Sequence, residues 1–130
     1  MAICAIVADD EEVIRKMVSG IIRDVAEGIS VREVENGRDL TKEVLGGNYD
    51  FVFTDNNMEG GNGLEAVREI RKHNPHIPIC MASSDSRWTG KPLEQQAREA
   101  GVTDFLYKPF TIKELEAVVK KYIEIKSRSK

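Results

Sequence analysis

At 130 residues, with 41% hydrophobic and 32% charged side chains, the chain has the size of one domain that buries about two thirds of its unfolded surface. Its 19 basic and 22 acidic residues leave a net charge of -3, which excludes the strongly basic character of a nucleic-acid binder. No apolar stretch approaches the ~20 residues that span a bilayer, and no basic-then-apolar leader opens the chain, so a cytoplasmic location without membrane attachment is expected.

The first run, Ile3-Cys4-Ala5-Ile6-Val7-Ala8, predicts a strand that stops on Asp9-Asp10. Val13, Ile14, Met17, Val18, Ile21, Ile22 and Val25 then recur at helical spacing as one broad apolar face, with Gly28 as the stop. Asp10 taken alone reads as the N-cap of that helix. Val31–Val34 predicts a short strand, Asn36-Gly37 a turn, and Leu40, Val44 and Leu45 a second helix closing at Gly46-Gly47. Phe51-Val52-Phe53-Thr54 predicts a third strand that stops on Asp55. The polar, glycine-rich stretch from there to Gly63 is a loop, and its Asn62-Gly63 reads as another turn.

Leu64, Val67 and Ile70 give a third helix ended by Asn74-Pro75, with His73 and His76 as surface turn residues. Ile77–Ala82 is nearly continuously apolar, as expected of a strand covered on both faces. After a polar loop from Ser83 to Lys91, Pro92 opens a fourth helix through Leu93, Ala97 and Ala100, closed by Gly101. Phe105-Leu106-Tyr107 is the fifth strand, stopped by Lys108-Pro109. In the last helix Thr111 and Glu114 form a capping-box pair, Phe110 and Leu115 a hydrophobic staple, and Leu115, Val118, Val119, Tyr122 and Ile123 share a face. The basic residues of 125–130 read as a frayed, solvated tail or the stub of a linker. Cys4 and Cys80 both lie in apolar runs and read as buried free thiols.

Five strand–helix units in succession imply a parallel sheet with helices on both faces, in one domain over residues 1–130. Such a sheet lines up the carboxyl ends of its strands along one ligand-binding edge. Asp9 and Asp10, Asp55, the Ser83 hydroxyl and Lys108 then meet there from distant parts of the chain. Clustered carboxylates do not all stay ionised without a cation. An oxygen-only ligand set with no His or Cys beside it suits Mg²⁺ or Mn²⁺. Together with a lysine point charge, this suits phosphoryl transfer to an aspartate.

Four stretches carry a family resemblance in order: Ile6-Val7-Ala8-Asp9-Asp10; Phe51 to Met58 with Gly63-Leu64; Met81-Ala82-Ser83-Ser84; and Tyr107-Lys108-Pro109-Phe110. Over essentially its whole length the chain resembles the receiver domain of two-component response regulators, of the chemotaxis-regulator kind. The resemblance implies a flavodoxin-like (βα)5 doubly wound fold with strand order 2-1-3-4-5. It makes Asp55 the phosphoacceptor for a histidine kinase or histidine phosphotransfer protein. Asp9, Asp10, Asp55 and the backbone carbonyl of Asn57 become the Mg²⁺ ligands. Ser83 and Lys108 become the groups that bind the phosphoryl oxygens, and Ser83 and Phe105 the switch pair. Asn57 and Asp85 become the residues that tune the lifetime of the acyl phosphate. The output is a changed surface of the fourth helix, fifth strand and fifth helix, offered to a downstream protein target. The domain itself is then no enzyme, beyond assisting its own phosphorylation and dephosphorylation.

Some residues depart from the family pattern. Glu59 stands where proline is usual, and with Gly60 and Gly61 is expected to loosen Met58–Gly63. The stretch from Ser83 to Lys108 is longer than usual, most of the excess falling in Ser86–Pro92. Trp88 lies there, either as a partly buried anchor or beside the phosphorylation site. Two other functions compete with the receiver reading. A Mg²⁺-dependent aspartyl-phosphate phosphatase of the haloacid dehalogenase type needs a second Asp two residues after the nucleophile, where this chain has Asn57. A binding module that is never phosphorylated has no need to keep Asp9, Asp10, Asp55, Ser83 and Lys108 together.

Overall fold

Five strands and five helices alternate in the computed structural model, which describes residues 2–85 and 91–128. They are β1 (Ile3–Ala8), α1 (Glu12–Val25), β2 (Ile29–Val34), α2 (Gly37–Gly46), β3 (Phe51–Asp55), α3 (Gly63–His73), β4 (Ile79–Ser83), α4 (Lys91–Ala100), β5 (Asp104–Tyr107) and α5 (Ile112–Arg128). The strands form one parallel sheet in the expected order β2-β1-β3-β4-β5.

Alternation along each strand divides the core between the two faces of this sheet. Ile6 and Ala8 of β1, Val52 of β3, Ile79 and Met81 of β4 and Phe105 of β5 pack with Leu40 and Val44 of α2, Val67 and Ile70 of α3 and Ala97 of α4. Ala5, Val7, Phe51, Phe53, Cys80 and Ala82 point the other way, onto Val18 and Ile22 of α1 and Leu115, Val118 and Tyr122 of α5. The central strands β3 and β4 are buried throughout, which is why they read as unbroken apolar runs. Edge strand β2 exposes Ser30 and Arg32, so only its last residues carried a signal, and it begins two residues before the expected Val31.

Several expectations need correction. Val13 and Met17 do not belong to the buried face of α1; they are 80% and 46% exposed. That face follows Arg15, Val18, Ser19 and Ile22, a single i, i+3, i+4, i+7 stripe. Asp10 does not cap α1: Glu11 occupies that position, and its N–H is taken by Asp9 Oδ1 at 2.9 Å. Asn36 and Asn62 are not simple turn residues. Their side chains accept from the N–H groups of Asp39 (2.7 Å) and Glu65 (2.8 Å) and so cap α2 and α3. β4 starts at Ile79, after Pro78, and takes in Ser83. Cys80 is buried, its thiol pushed up by that burial, whereas Cys4 is half-buried. Trp88 and residues 86–90 lie outside the described residues.

Helix α5 closes the domain with the capping box read from its sequence. Thr111 Oγ1 accepts from the Glu114 N–H (3.0 Å), and Glu114 Oε1 accepts from the Thr111 N–H (2.8 Å). Phe110 and Leu115 pack in the same cluster. The helix continues through Arg128, into the segment 125–130 where fraying was expected. Lys126 pairs with Asp50 (2.7 Å) and Arg128 with Glu124 (2.6 Å) along this last turn. Thr111→Ala is expected to lower the unfolding free energy by about 1 kcal/mol, read from the urea midpoint, because the Glu114 N–H loses the Thr111 hydroxyl as its acceptor.

Candidate functional site

The parallel register brings Ala8 beside both Val34 and Thr54, Asp55 beside Ala82, and Ser83 beside Tyr107. The residues that end β1, β3, β4 and β5 therefore share one edge. Asp9 is fully buried there. Its N–H donates to Val34 O (3.2 Å), its Oδ1 accepts from Glu11 N–H, and its Oδ2 accepts from Lys108 Nζ (3.2 Å). Asp55, the last residue of β3, is 4% exposed and pairs through Oδ1 with the same ammonium at 3.0 Å. Asp10 is exposed, and its Oδ2 accepts from the Glu59 N–H at 3.3 Å. Lys108 is held from behind by its own N–H, which donates to Ser83 O (2.7 Å), and its peptide bond to Pro109 is cis.

The loop after β3 folds back tightly on the site. Asn56 N–H donates to Ala82 O (3.1 Å), Gly63 N–H to Asn56 O (2.9 Å), and Asn56 Oδ1 accepts from Leu64 N–H (3.0 Å). A Cβ at position 63 would collide with the carbonyl oxygen of Asp55, so only glycine lets α3 start this close to Asp55.

One carboxylate oxygen from each of Asp9, Asp10 and Asp55 lies within 4.8 Å of the others, the one such acidic cluster among the described residues. Burial pushes Asp55 above the ordinary carboxylate range and the charges of Asp9 and Asp10 add to this, more than Lys108 offsets. Burial alone pushes Lys108 down, but Asp55 and Asp9 outweigh it and raise its pKa, so the ammonium stays charged at neutral pH. Three carboxylates thus face one ammonium. This crowded, oxygen-only donor set fits a hard divalent cation such as Mg²⁺ or Mn²⁺.

The remaining sequence-derived residues are Ser83, Asp85, Asn57 and Phe105. Ser83 is buried, and its Oγ accepts from the Asp85 N–H at 3.1 Å. Asp85 is half-buried and Asn57 is exposed. Phe105 is buried against the α2–α3–α4 face, with its ring 5.1 Å from that of Tyr107 and nearly perpendicular to it. A cleft of about 390 Å³, lined by Ile14, Met17, Ser84, Lys108, Pro109 and Phe110, opens beside the site.

Three contacts were missed in the sequence. Arg15 is buried, donates from Nη1 to Asp9 O (3.0 Å) and pairs through Nε with Glu33 Oε1 of β2 (3.1 Å). Its signal was available, since a charged residue sits in helical phase with Val18 and Ile22. Burial alone would raise Glu33, but Lys16 and Arg15 outweigh it and hold the carboxyl below the usual range. The Tyr107 hydroxyl donates to Glu94 Oε1 at 2.6 Å and links β5 to α4. That bond, ahead of Arg98, holds Glu94 below the usual range. Nothing in sequence spacing announces it.

A family model described as the response regulator receiver domain matches residues 5–120 of this chain. The chain is 27% identical over 121 residues to the chemotaxis protein CheY of Pseudomonas aeruginosa, a match that covers 92% of this chain and 94% of that protein. It is 31% identical over 126 residues to the cyclic di-GMP phosphodiesterase response regulator RpfG of Xanthomonas campestris, covering 95% of this chain and 32% of the relative. Among solved structures, the chemotaxis response regulator CheY4 of Vibrio cholerae superposes with a TM-score of 0.81 at 26% identity, over 94% of this chain and 99% of that one. No helix among the described residues is long and apolar enough to cross a membrane.

Proposed function

Because the chain belongs to the response regulator receiver family of two-component signalling, we propose that it accepts a phosphoryl group on Asp55 from a histidine kinase or histidine phosphotransfer protein. We place this reaction in the cytoplasm. The observation that carries the reading is the junction of Asp9, Asp10, Asp55 and Lys108 at one sheet edge.

In the proposed reaction an Asp55 carboxylate oxygen attacks the phosphorus of the donor phosphohistidine. A P–O bond forms, the P–N bond breaks, and its electron pair leaves with the imidazole, giving an acyl phosphate. Asp9, Asp10, Asp55 and the Asn57 backbone carbonyl are the groups to hold Mg²⁺ (or Mn²⁺), which when bound supplies neutralising charge for the phosphoryl oxygens. Lys108 exchanges a carboxylate partner for a phosphoryl oxygen, and its fixed position lowers the reorganisation that transfer requires. The domain contributes position and charge, while the donor contributes the reactive bond. On this reading it is a phosphoacceptor rather than an enzyme.

The phosphoryl group brings about -1.5 to -2 charge and three acceptor oxygens to Asp55. Ser83 Oγ, now an acceptor from the Asp85 N–H, turns to donate to one of those oxygens. That partner exists only in the phosphorylated state, so it biases the conformational equilibrium. Phe105 follows on β5. The Tyr107–Glu94 bond connects that strand to α4, and the surface of α4, β5 and α5 changes for a downstream protein target. Asn57 and Asp85 flank the acyl phosphate, where they govern how readily water reaches it. Ser83→Ala is expected to keep the adduct and lose the response of α4, which hydrogen exchange would measure.

Intact mass spectrometry with a small-molecule phosphodonor tests the reading. The expected result is one added phosphoryl group per chain, formed with Mg²⁺ and absent in EDTA. Failure to form it under any condition overturns the reading, and sustained turnover of a phosphomonoester would establish a phosphatase instead.

A further inference from the structure

Asp9 and Asp55 are immobilised by burial and by Lys108, but Asp10 is exposed and, among the described residues, is held through the Glu59 N–H. Glu59 lies 49 residues away in the β3–α3 loop, which hydrogen-bonds to neighbouring elements. Gly60 and Gly61 adopt positive φ values of 81° and 119°, which turns their carbonyls toward α2. Gly61 O accepts from the Gly37 N–H at 2.8 Å, and Gly60 O accepts from Arg38 Nη2 at 3.3 Å. The loop is therefore tied to α2 at one end and presents the Glu59 amide to Asp10 at the other.

We propose that Glu59 is a positioning residue for the divalent cation, acting through its backbone N–H, which holds the carboxylate of Asp10 in the orientation that binds the ion. This rests on the metal role proposed above for Asp10. A carboxylate has about four lone-pair directions, so one N–H on Oδ2 leaves the others free for the ion. An exposed aspartate that must be ordered on binding loses side-chain freedom at that moment, whereas one already held does not. Hydrogen-bonded outer partners of ligating carboxylates act in this way at metal sites generally. The glutamate side chain is not required, and any residue with an amide hydrogen serves.

The test compares Glu59→Pro, which lacks the N–H, with Glu59→Gln, which keeps it and removes the same charge. Calorimetric Mg²⁺ titration should show binding weaker in the proline variant by about tenfold, the low end for outer-shell partners of metal ligands. Melting temperatures in EDTA should match while the Mg²⁺-induced rise is smaller for proline. Amide exchange on the unmutated protein gives an independent reading: Mg²⁺ should slow exchange of the Glu59 amide. Equal affinities for the two variants, or faster Glu59 exchange on adding Mg²⁺, would overturn the positioning role while leaving the metal site standing. Absence of Mg²⁺ binding to the unmutated protein would overturn both.

Discussion

Replacing Asp55 with asparagine is expected to abolish the proposed phosphoryl adduct and to make the metal-free protein more stable. The first effect follows from chemistry, since an amide oxygen has neither the charge nor the basicity to attack phosphorus and form an acyl phosphate. The second follows from the environment. Asp55 is buried among Asp9 and Asp10, and its pKa is raised despite Lys108, so its ionised form is held at a cost in the folded state. A neutral isostere removes that cost, and Lys108 keeps Asp9 as its partner.

The expected gain is about 1 kcal/mol, in the range typical when a strained functional group is removed, which for a domain of this size means roughly 4 °C in melting temperature. The pH dependence has a definite sign. The unfolded chain releases the Asp55 proton in the ordinary carboxylate range, while the folded chain keeps it to higher pH. Stability of the unmutated protein therefore falls relative to the asparagine variant as pH rises through that window. The gap closes in acid and is full above the folded pKa. Calorimetry in EDTA across this window checks it, and a variant less stable at neutral pH would contradict the charge-crowding account.

Lys108→Met should have the larger effect on stability. Its ammonium is the shared partner of Asp9 and Asp55, both buried, and methionine keeps the stem while deleting the charge. Removing one partner from a buried ion pair leaves uncompensated charge and costs about 3 kcal/mol. Urea unfolding at neutral pH should show that loss. Either Mg²⁺ or acid should restore part of it, because each relieves the carboxylates in place of the lysine. On the alkaline side the sign reverses. Lys108 has a raised folded pKa, so its contribution is complete below the unfolded lysine value and is lost as pH climbs through the folded one. The methionine variant lacks that alkaline limb. Loss of stability that neither Mg²⁺ nor acid relieves would mean that packing of the stem, not charge, is what Lys108 supplies.

The sheet was legible because its chemistry is written in runs. A central parallel strand is apolar on both faces, so β1, β3 and β4 each ended where the first polar residue met the ligand edge. The capping box of α5 was equally plain, since both of its partners are three residues apart. Less was visible where one residue type serves two local structures. Asn-Gly reads as a turn, yet Asn36 and Asn62 are helix caps, a choice fixed only by the helix that follows. Adjacent Asp9 and Asp10 look alike, but the first is buried beside the end of β1 and the second is exposed at the bend that leads into α1. The apolar pattern of α1 leaves out Arg15, although its phase places it with Val18 and Ile22. The β3–α3 loop was judged by its glycines. Its restraint comes from α2 and Asp10, contacts between residues more than 20 positions apart that no local pattern encodes.

The central claim is that charge arriving at Asp55 is converted, through Ser83 and Lys108, into a new α4–β5–α5 surface. It is tested most directly by heteronuclear amide spectra recorded in Mg²⁺ before and after adding beryllofluoride, which mimics a phosphoryl group on aspartate. The account predicts saturable shifts at Ser83, Asp85, Phe105, Tyr107 and Glu94, absent in Asp55→Asn and confined to the Asp55 neighbourhood in Ser83→Ala. Shifts that never reach β5 and α4, or that persist in the Asp55→Asn protein, would contradict it.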